Sequence, residues 1–117
     1  MRTGASTPEE LESLLEDAFV TRDADAVGEM FEEGAVLLAG RGGREARGAR
    51  EIERLARTLL EADRTYVAEP HRVVQARDTA LVLGGAGLNV VRRRRDGDWR
   101  YAIALLSPLT TTQEEEE

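Results

Sequence analysis

The hydrophobic period of this chain changes once, and that change constrains the fold more than any other feature. Apart from the apolar run at 35–39, the apolar residues up to residue 61 recur at helical spacing, and from about residue 65 they alternate. Leu11, Leu14, Leu15, Ala18 and Phe19 fall on one helical face, as do Ile52, Leu55, Ala56, Leu59 and Leu60. The first helix has clear start signals. Thr7 is suited to the N-cap, Pro8 to the first turn, and Glu10 completes a capping box. Asp23 caps a second, short helix that points Val27, Met30 and Phe31 inward, and Gly34 ends it. "AVLLA" (35–39) reads as a buried strand, "GRGGREARG" (40–48) as a flexible loop, and 49–61 as the third helix. Strands are predicted near 65–76, 79–89, 89–95 and 98–107. The order is helix, helix, strand, helix, then four strands in an antiparallel meander. This predicts an α+β domain with three helices on one face of a curved sheet.

Length and composition narrow the function classes. The 117 residues suit one domain, read as 1–109, followed by an acidic, disordered tail at 110–117. The net charge is −7, of which −4 comes from Glu114–Glu117, leaving −3 for the rest. A net acidic domain repels phosphate, so neither nucleic acid nor an anionic membrane is expected as a partner. There is no cysteine, which excludes disulfides, thiolate zinc sites and cysteine nucleophiles. There is no lysine, which excludes Schiff-base chemistry. The glycine-rich loop lacks the Gly-Lys-Ser/Thr ending of a phosphate loop. No metal-ligand spacing is found, and neither metal nor cofactor is expected. No apolar run reaches signal-peptide or membrane length, so the expected location is cytoplasmic.

The stretch "VVRRRRDGDWRYAIALL" (90–106) reads as a hairpin around a two-residue Asp96-Gly97 turn. That register pairs Arg94 with Trp99, Arg92 with Tyr101, Val90 with Ile103 and Leu88 with Leu105. Strand alternation then divides the hairpin into two faces. Leu88, Val90, Arg92, Arg94, Trp99, Tyr101, Ile103 and Leu105 are expected to face the helices. Asn89, Val91, Arg93, Arg95, Ala102, Ala104 and Leu106 are expected outside. Arg92 and Arg94 would lie against Tyr101 and Trp99, and Arg95 would pair with Asp98. The small apolar residues of the outer face suggest a homodimer interface through Val91, Ala102, Ala104 and Leu106.

Three segments carry a resemblance. "RDADAVGEMFEEGAVLLAG", "GAREIERL" and "RRRRDGDWRYAIALLSP" resemble, in order and spacing, marks of the nuclear transport factor 2-like superfamily. More narrowly they resemble its SnoaL-like and ketosteroid isomerase-like branch. The resemblance covers roughly residues 8–108. It implies a cone in which a curved sheet wraps around helices and leaves a pocket. It also implies dimers formed through the outer sheet face. A ketosteroid isomerase carries a general-base aspartate near the end of its first strand; the matching position is Ala39. Its helical tyrosine donor corresponds to Leu15, and its protonated aspartate corresponds, by counting from Gly97, to Asn89. The hairpin parity places Asn89 on the outer face instead. "EPHRVVQARDTALVL" resembles the strand pair of calmodulin-dependent kinase association domains, whose pocket arginines would fall at Ala86 and Val90. Histidines that many relatives place on the last strand would fall at Ile103 and Leu105.

Few chemically active candidates remain. His71 is the only histidine. With Asn89 and Tyr66 it forms the set of catalytic candidates, and Asp17 becomes an acid only if it tilts into the cone. The reading favoured is a dimeric, non-catalytic protein that binds a small hydrophobic ligand. Its pocket would be lined by Leu15, Phe19, Phe31, Leu37, Val90, Arg92, Trp99, Tyr101 and Ile103. Arg92 would anchor an acidic group. The alternative is a polyketide cyclase- or isomerase-like enzyme using His71 and the pocket tyrosines. A third possibility is a cone filled by its own side chains.

Overall fold

In a computed structural model, the described residues are 4–39, 44–64, 66, 68, 70–84 and 87–106. The acidic tail at 110–117, Ala86, residues 40–43 of the predicted loop and the His71 side chain lie outside them. Three helices are formed, α1 (Pro8–Val20), α2 (Ala24–Glu29) and α3 (Gly48–Glu61). Six strands complete the fold: β1 (Phe31–Ala39), β2 (Arg44–Arg47), β3 (Pro70–Ala76), β4 (Thr79–Gly84), β5 (Gly87–Arg93) and β6 (Trp99–Leu106). They form one sheet in the order β2-β1-β6-β5-β4-β3. β1 runs parallel to β6, and the other neighbouring pairs are antiparallel. The helices pack on one side of this curved sheet, giving the α+β arrangement expected from the element order and the cone that the resemblance implies.

The helix starts follow local chemistry. Thr7 caps α1 by accepting from the Glu10 amide at 3.0 Å, and the Glu10 carboxylate accepts from the Ser6 amide at 2.6 Å. Asp23 caps α2 through the Ala26 amide at 3.1 Å. In α3 the buried residues are Ile52, Leu55, Ala56, Leu59 and Leu60, the stripe set by the sequence.

Two boundaries differ from expectation. Phe31 opens β1 rather than ending α2, and Gly34 lies inside β1 rather than at a helix end. β1 pairs Phe31 with Tyr101 and then Val36 with Ile103, so extra residues bulge out between them. Gly34 sits there at φ +80°, a backbone region where a Cβ is disfavoured. The predicted loop at 40–48 contains the short strand β2, which pairs Ala46 with Leu37.

The hairpin of β5 and β6 corrects the predicted faces. The Gly97 amide donates to the Arg94 carbonyl at 2.9 Å, and the Arg94 amide donates to the Asp98 carbonyl at 2.8 Å. Gly97 has φ +91°. This is a three-residue loop, a turn followed by a left-handed glycine, not a two-residue Asp-Gly turn. The pairing therefore shifts by one, to Arg93 with Trp99 and Val91 with Tyr101. A bulge at Ala102 then restores the predicted pairing of Val90 with Ile103. Because one residue of slip exchanges the faces of a strand, all of β5 is reversed. β6 is as predicted through Tyr101 and reversed beyond it.

Val91, Ala102 and Ala104, expected on the outer face, are thus buried inside at 0%, 4% and 0% exposure. Leu106 is half-buried and packs against the core. Val90, Arg92 and Ile103, expected to line a pocket, are on the outer face, and Ile103 is 46% exposed. The arginine run is also reassigned. Arg93 stacks on Trp99, 5.5 Å from the ring centroid, and reaches the Asp78 carboxylate with Nε at 2.8 Å and Nη2 at 2.6 Å. Arg92 pairs with Glu32 at 3.1 Å. The contacts expected of Arg92 with Tyr101, of Arg94 with Trp99 and of Arg95 with Asp98 give way to these.

Candidate functional site: a buried carboxyl with three donors

One charged residue lies within the buried stripe of α1. The stripe runs Pro8, Leu11, Glu12, Leu15, Ala18 and Phe19, and Glu12 is 3% exposed. Its side chain ends among three donors. Tyr101 Oη, from β6, donates to Oε2 at 2.6 Å, and Asn89 Nδ2, from β5, donates to the same oxygen at 3.0 Å. Tyr66, from the connection between α3 and β3, donates to the other oxygen, Oε1. Asn89 is held in turn, because its Oδ1 accepts from the Leu105 amide at 2.8 Å. Together these two bonds use both ends of the amide and fix its orientation. One turn along α1, Glu16 accepts from the Ala68 amide at 3.0 Å. α1 therefore holds the α3–β3 connection at two successive points.

Burial pushes the Tyr66 and Tyr101 hydroxyls well above the ordinary tyrosine value, and the neighbouring Glu12 carboxyl adds to the effect. Both phenols thus stay protonated donors through the neutral and mildly alkaline range. The aromatic rings pack in pairs, Phe19 with Tyr66 at 6.2 Å and Phe31 with Tyr101 at 5.2 Å between centroids. A buried polar network of this kind is stable only when each member is satisfied. Here every named group has its partner.

The candidates from sequence are distributed as follows. Asn89 and Tyr66 meet at Glu12. Asn89 points inward, as counting from Gly97 indicated and as hairpin parity did not, because the parity assumed the wrong turn. His71 belongs to β3 by its backbone. Leu15, Leu37 and Tyr101 are fully buried, and Phe19, Phe31 and Trp99 nearly so, all within the buried core cluster. Ala39, which the resemblance sets at the position of the isomerase base, is also buried. Asp17 is exposed and lines a cleft of about 290 Å³ between α1, α2 and the start of β6, with Leu14, Met30, Trp99 and Arg100. It does not tilt into the cone. Among the described residues no group of three or more His, Cys, Asp or Glu could hold a metal ion. No helix among them is long and apolar enough to cross a membrane.

Glu12 was missed in the sequence. The signal was present, since it lies three residues before Leu15 and seven before Phe19, within the apolar stripe. A carboxylate at such a position must find donors or leave the core.

The arrangement sits in a fold with known relatives. The SnoaL-like domain family matches residues 11–106. The chain belongs to that family. Solved structures extend the likeness. A candidate calcium/calmodulin-dependent protein kinase type II association domain from Thiobacillus denitrificans superposes with a TM-score of 0.74 at 19% identity, covering 92% of this chain and 98% of that one. A ketosteroid isomerase-like protein from Erwinia carotovora gives 0.68 at 24% identity, covering 85% and 91%. A nuclear transport factor 2-like protein from Novosphingobium aromaticivorans gives 0.62 at 23%, covering 84% and 79%. These identities establish the shared fold alone. Among curated proteins, no sequence matches this SnoaL-like domain.

Proposed function

We propose that this SnoaL-like domain is a dimeric small-molecule-binding protein that does not use ketosteroid isomerase-type proton abstraction. The observation that carries this reading is a substitution of chemistry inside the cone. Ala39 stands where the isomerase would hold its base, and the interior polar groups are gathered instead at Glu12, Tyr66, Asn89 and Tyr101. These groups bond to one another beside the apolar side chains of Leu15, Phe19, Phe31 and Leu37, and a ligand bound among them would exchange with one of those bonds. The ligand is small and mostly hydrophobic.

The dimer is proposed through the outer sheet face, with residues different from those first expected. Paired positions run Val74–Leu81–Val90–Ile103–Val36 across five strands. Leu83 and Leu88 pair beside that row. Val74, Leu81, Leu83, Leu88 and Ile103 are each 37–46% exposed, which makes one continuous aliphatic surface. Glu32 and Arg92 pair on the same face and provide a polar margin. Native mass spectrometry of the purified protein tests both parts. A dimer carrying a retained small molecule is expected; a monomer overturns the dimer, and a dimer to which no hydrophobic compound binds overturns the ligand.

A second reading has one specific observation in its favour, the buried carboxyl flanked by two phenols. In an isomerase- or polyketide cyclase-like enzyme, Glu12 would move the proton and Tyr101 would stabilise the developing charge. Turnover of a cyclisable or enolisable substrate that Glu12→Gln abolishes while the fold is kept would favour it.

A further inference from the structure

We infer that Glu12 Oε1 is the docking point for a ring-borne hydroxyl group, such as a phenol, and that the Tyr66 side chain is an internal occupant which such a ligand replaces. This rests on the ligand-binding reading above and names the ligand class. Three features support it.

The donors divide between the two oxygens of Glu12. Oε2 takes Tyr101 and Asn89, whose backbones are locked in neighbouring strands of the sheet. Oε1 takes Tyr66, which lies in neither a helix nor a strand. Withdrawal of Tyr66 therefore leaves Oε2 fully satisfied and vacates Oε1 as a single acceptor.

The space that Tyr66 fills is already shaped for a ring. Its phenol is 7% exposed and stacks at a 41° tilt on Phe19. A ligand ring entering that slot meets an aromatic wall and ends at the vacated oxygen.

The polarity of the site selects the ligand. Tyr66, Tyr101 and Asn89 all donate to Glu12, so a replacement for Tyr66 must also donate. A ketone oxygen or a carboxylate would place acceptor against acceptor. This is opposite in sense to an oxyanion site, which offers donors to a ligand oxygen. The described hydrogen bonds of the α3–β3 connection to α1 are Tyr66 to Glu12 and Ala68 to Glu16, so exchange of the ring leaves the Ala68 bond in place.

The test is to empty the slot. Tyr66→Ala should bind 4-methylphenol at least about tenfold more tightly than toluene, the advantage of one satisfied hydrogen bond over none. In Tyr66→Ala combined with Glu12→Gln, that preference should fall to about threefold or less. Equal binding of the two compounds to Tyr66→Ala, or preference unaffected by Glu12→Gln, overturns the inference. If Tyr66→Ala does not fold, the same pair of compounds is titrated into the wild-type protein and read by amide chemical shifts. Shifts at Ala68 with 4-methylphenol and not with toluene support the inference, and their absence overturns it. A hydrophobic ligand without a hydroxyl, retained by the wild type, would overturn this inference while leaving the ligand-binding reading intact. Failure of every compound to bind either protein would end both.

Discussion

Glu12 accepts from three donors inside the cone, so a change there reaches the whole network. Glu12→Gln keeps the shape but turns one acceptor into a donor that faces a donor. Leaving such a buried group unsatisfied costs about 1–3 kcal/mol. Chemical denaturation should show a loss in that range, and an unchanged midpoint would mean that the network contributes little. The tyrosines give the same site a pH signature. Each has a folded value raised above the ordinary one near 10, so the unfolded chain loses its proton first as pH rises. The stability they contribute is complete below pH ~10 and is lost above it. The slope approaches about 1.4 kcal/mol per pH unit for each tyrosine. Tyr101→Phe should reduce the alkaline slope by one such increment, measured as unfolding free energy between about pH 10 and 11.5.

At the scale of the element, the bulge at Ala102 decides which half of the last strand faces the helices. Ala104 is fully buried and Ile103, its neighbour, is 46% exposed. Ala104→Asp would bury an unpaired charge at a cost of several kcal/mol, enough to unfold a domain of this size. Within one protomer, Ile103→Asp should cost about 1 kcal/mol or less, within the range of strand preferences. Thermal melts of the two variants should therefore differ sharply, and the reverse ranking would mean that the strand keeps simple alternation. Asn89 has a part in this bulge. Its carbonyl takes the Leu105 amide just beyond the irregularity, so the strand can slip there without orphaning that donor.

For the whole molecule, the aliphatic outer face and the buried Glu12 network set the two questions of assembly and ligand. Ile103→Asp is expected to remain folded and to shift native mass spectrometry from dimer to monomer. A folded, dimeric Ile103→Asp protein would place the contact elsewhere.

Much of this architecture is legible in the sequence. The change of hydrophobic period, the caps at Thr7 and Asp23 and the amphipathic stripe of α3 are local features. They fixed the element order, β2 excepted, and with it the α+β class. The faces of the β5–β6 hairpin are not legible in the same way. Asp96-Gly97 suits either a two-residue turn or a three-residue loop with a left-handed glycine, and the choice reverses every side chain of β5. The bulge at Ala102 and the extra residues around Gly34 follow from how β6 meets β1 and β5 together. The site lies between the two cases. Glu12 stood in the apolar stripe from the start, but its donors come from residues 54, 77 and 89 positions away along the chain. Sequence alone determined what each segment could become, because caps and periodicity act within a few residues. Only the tertiary structure decided which side chains meet, because a one-residue slip in pairing costs little locally and changes every contact made through the sheet.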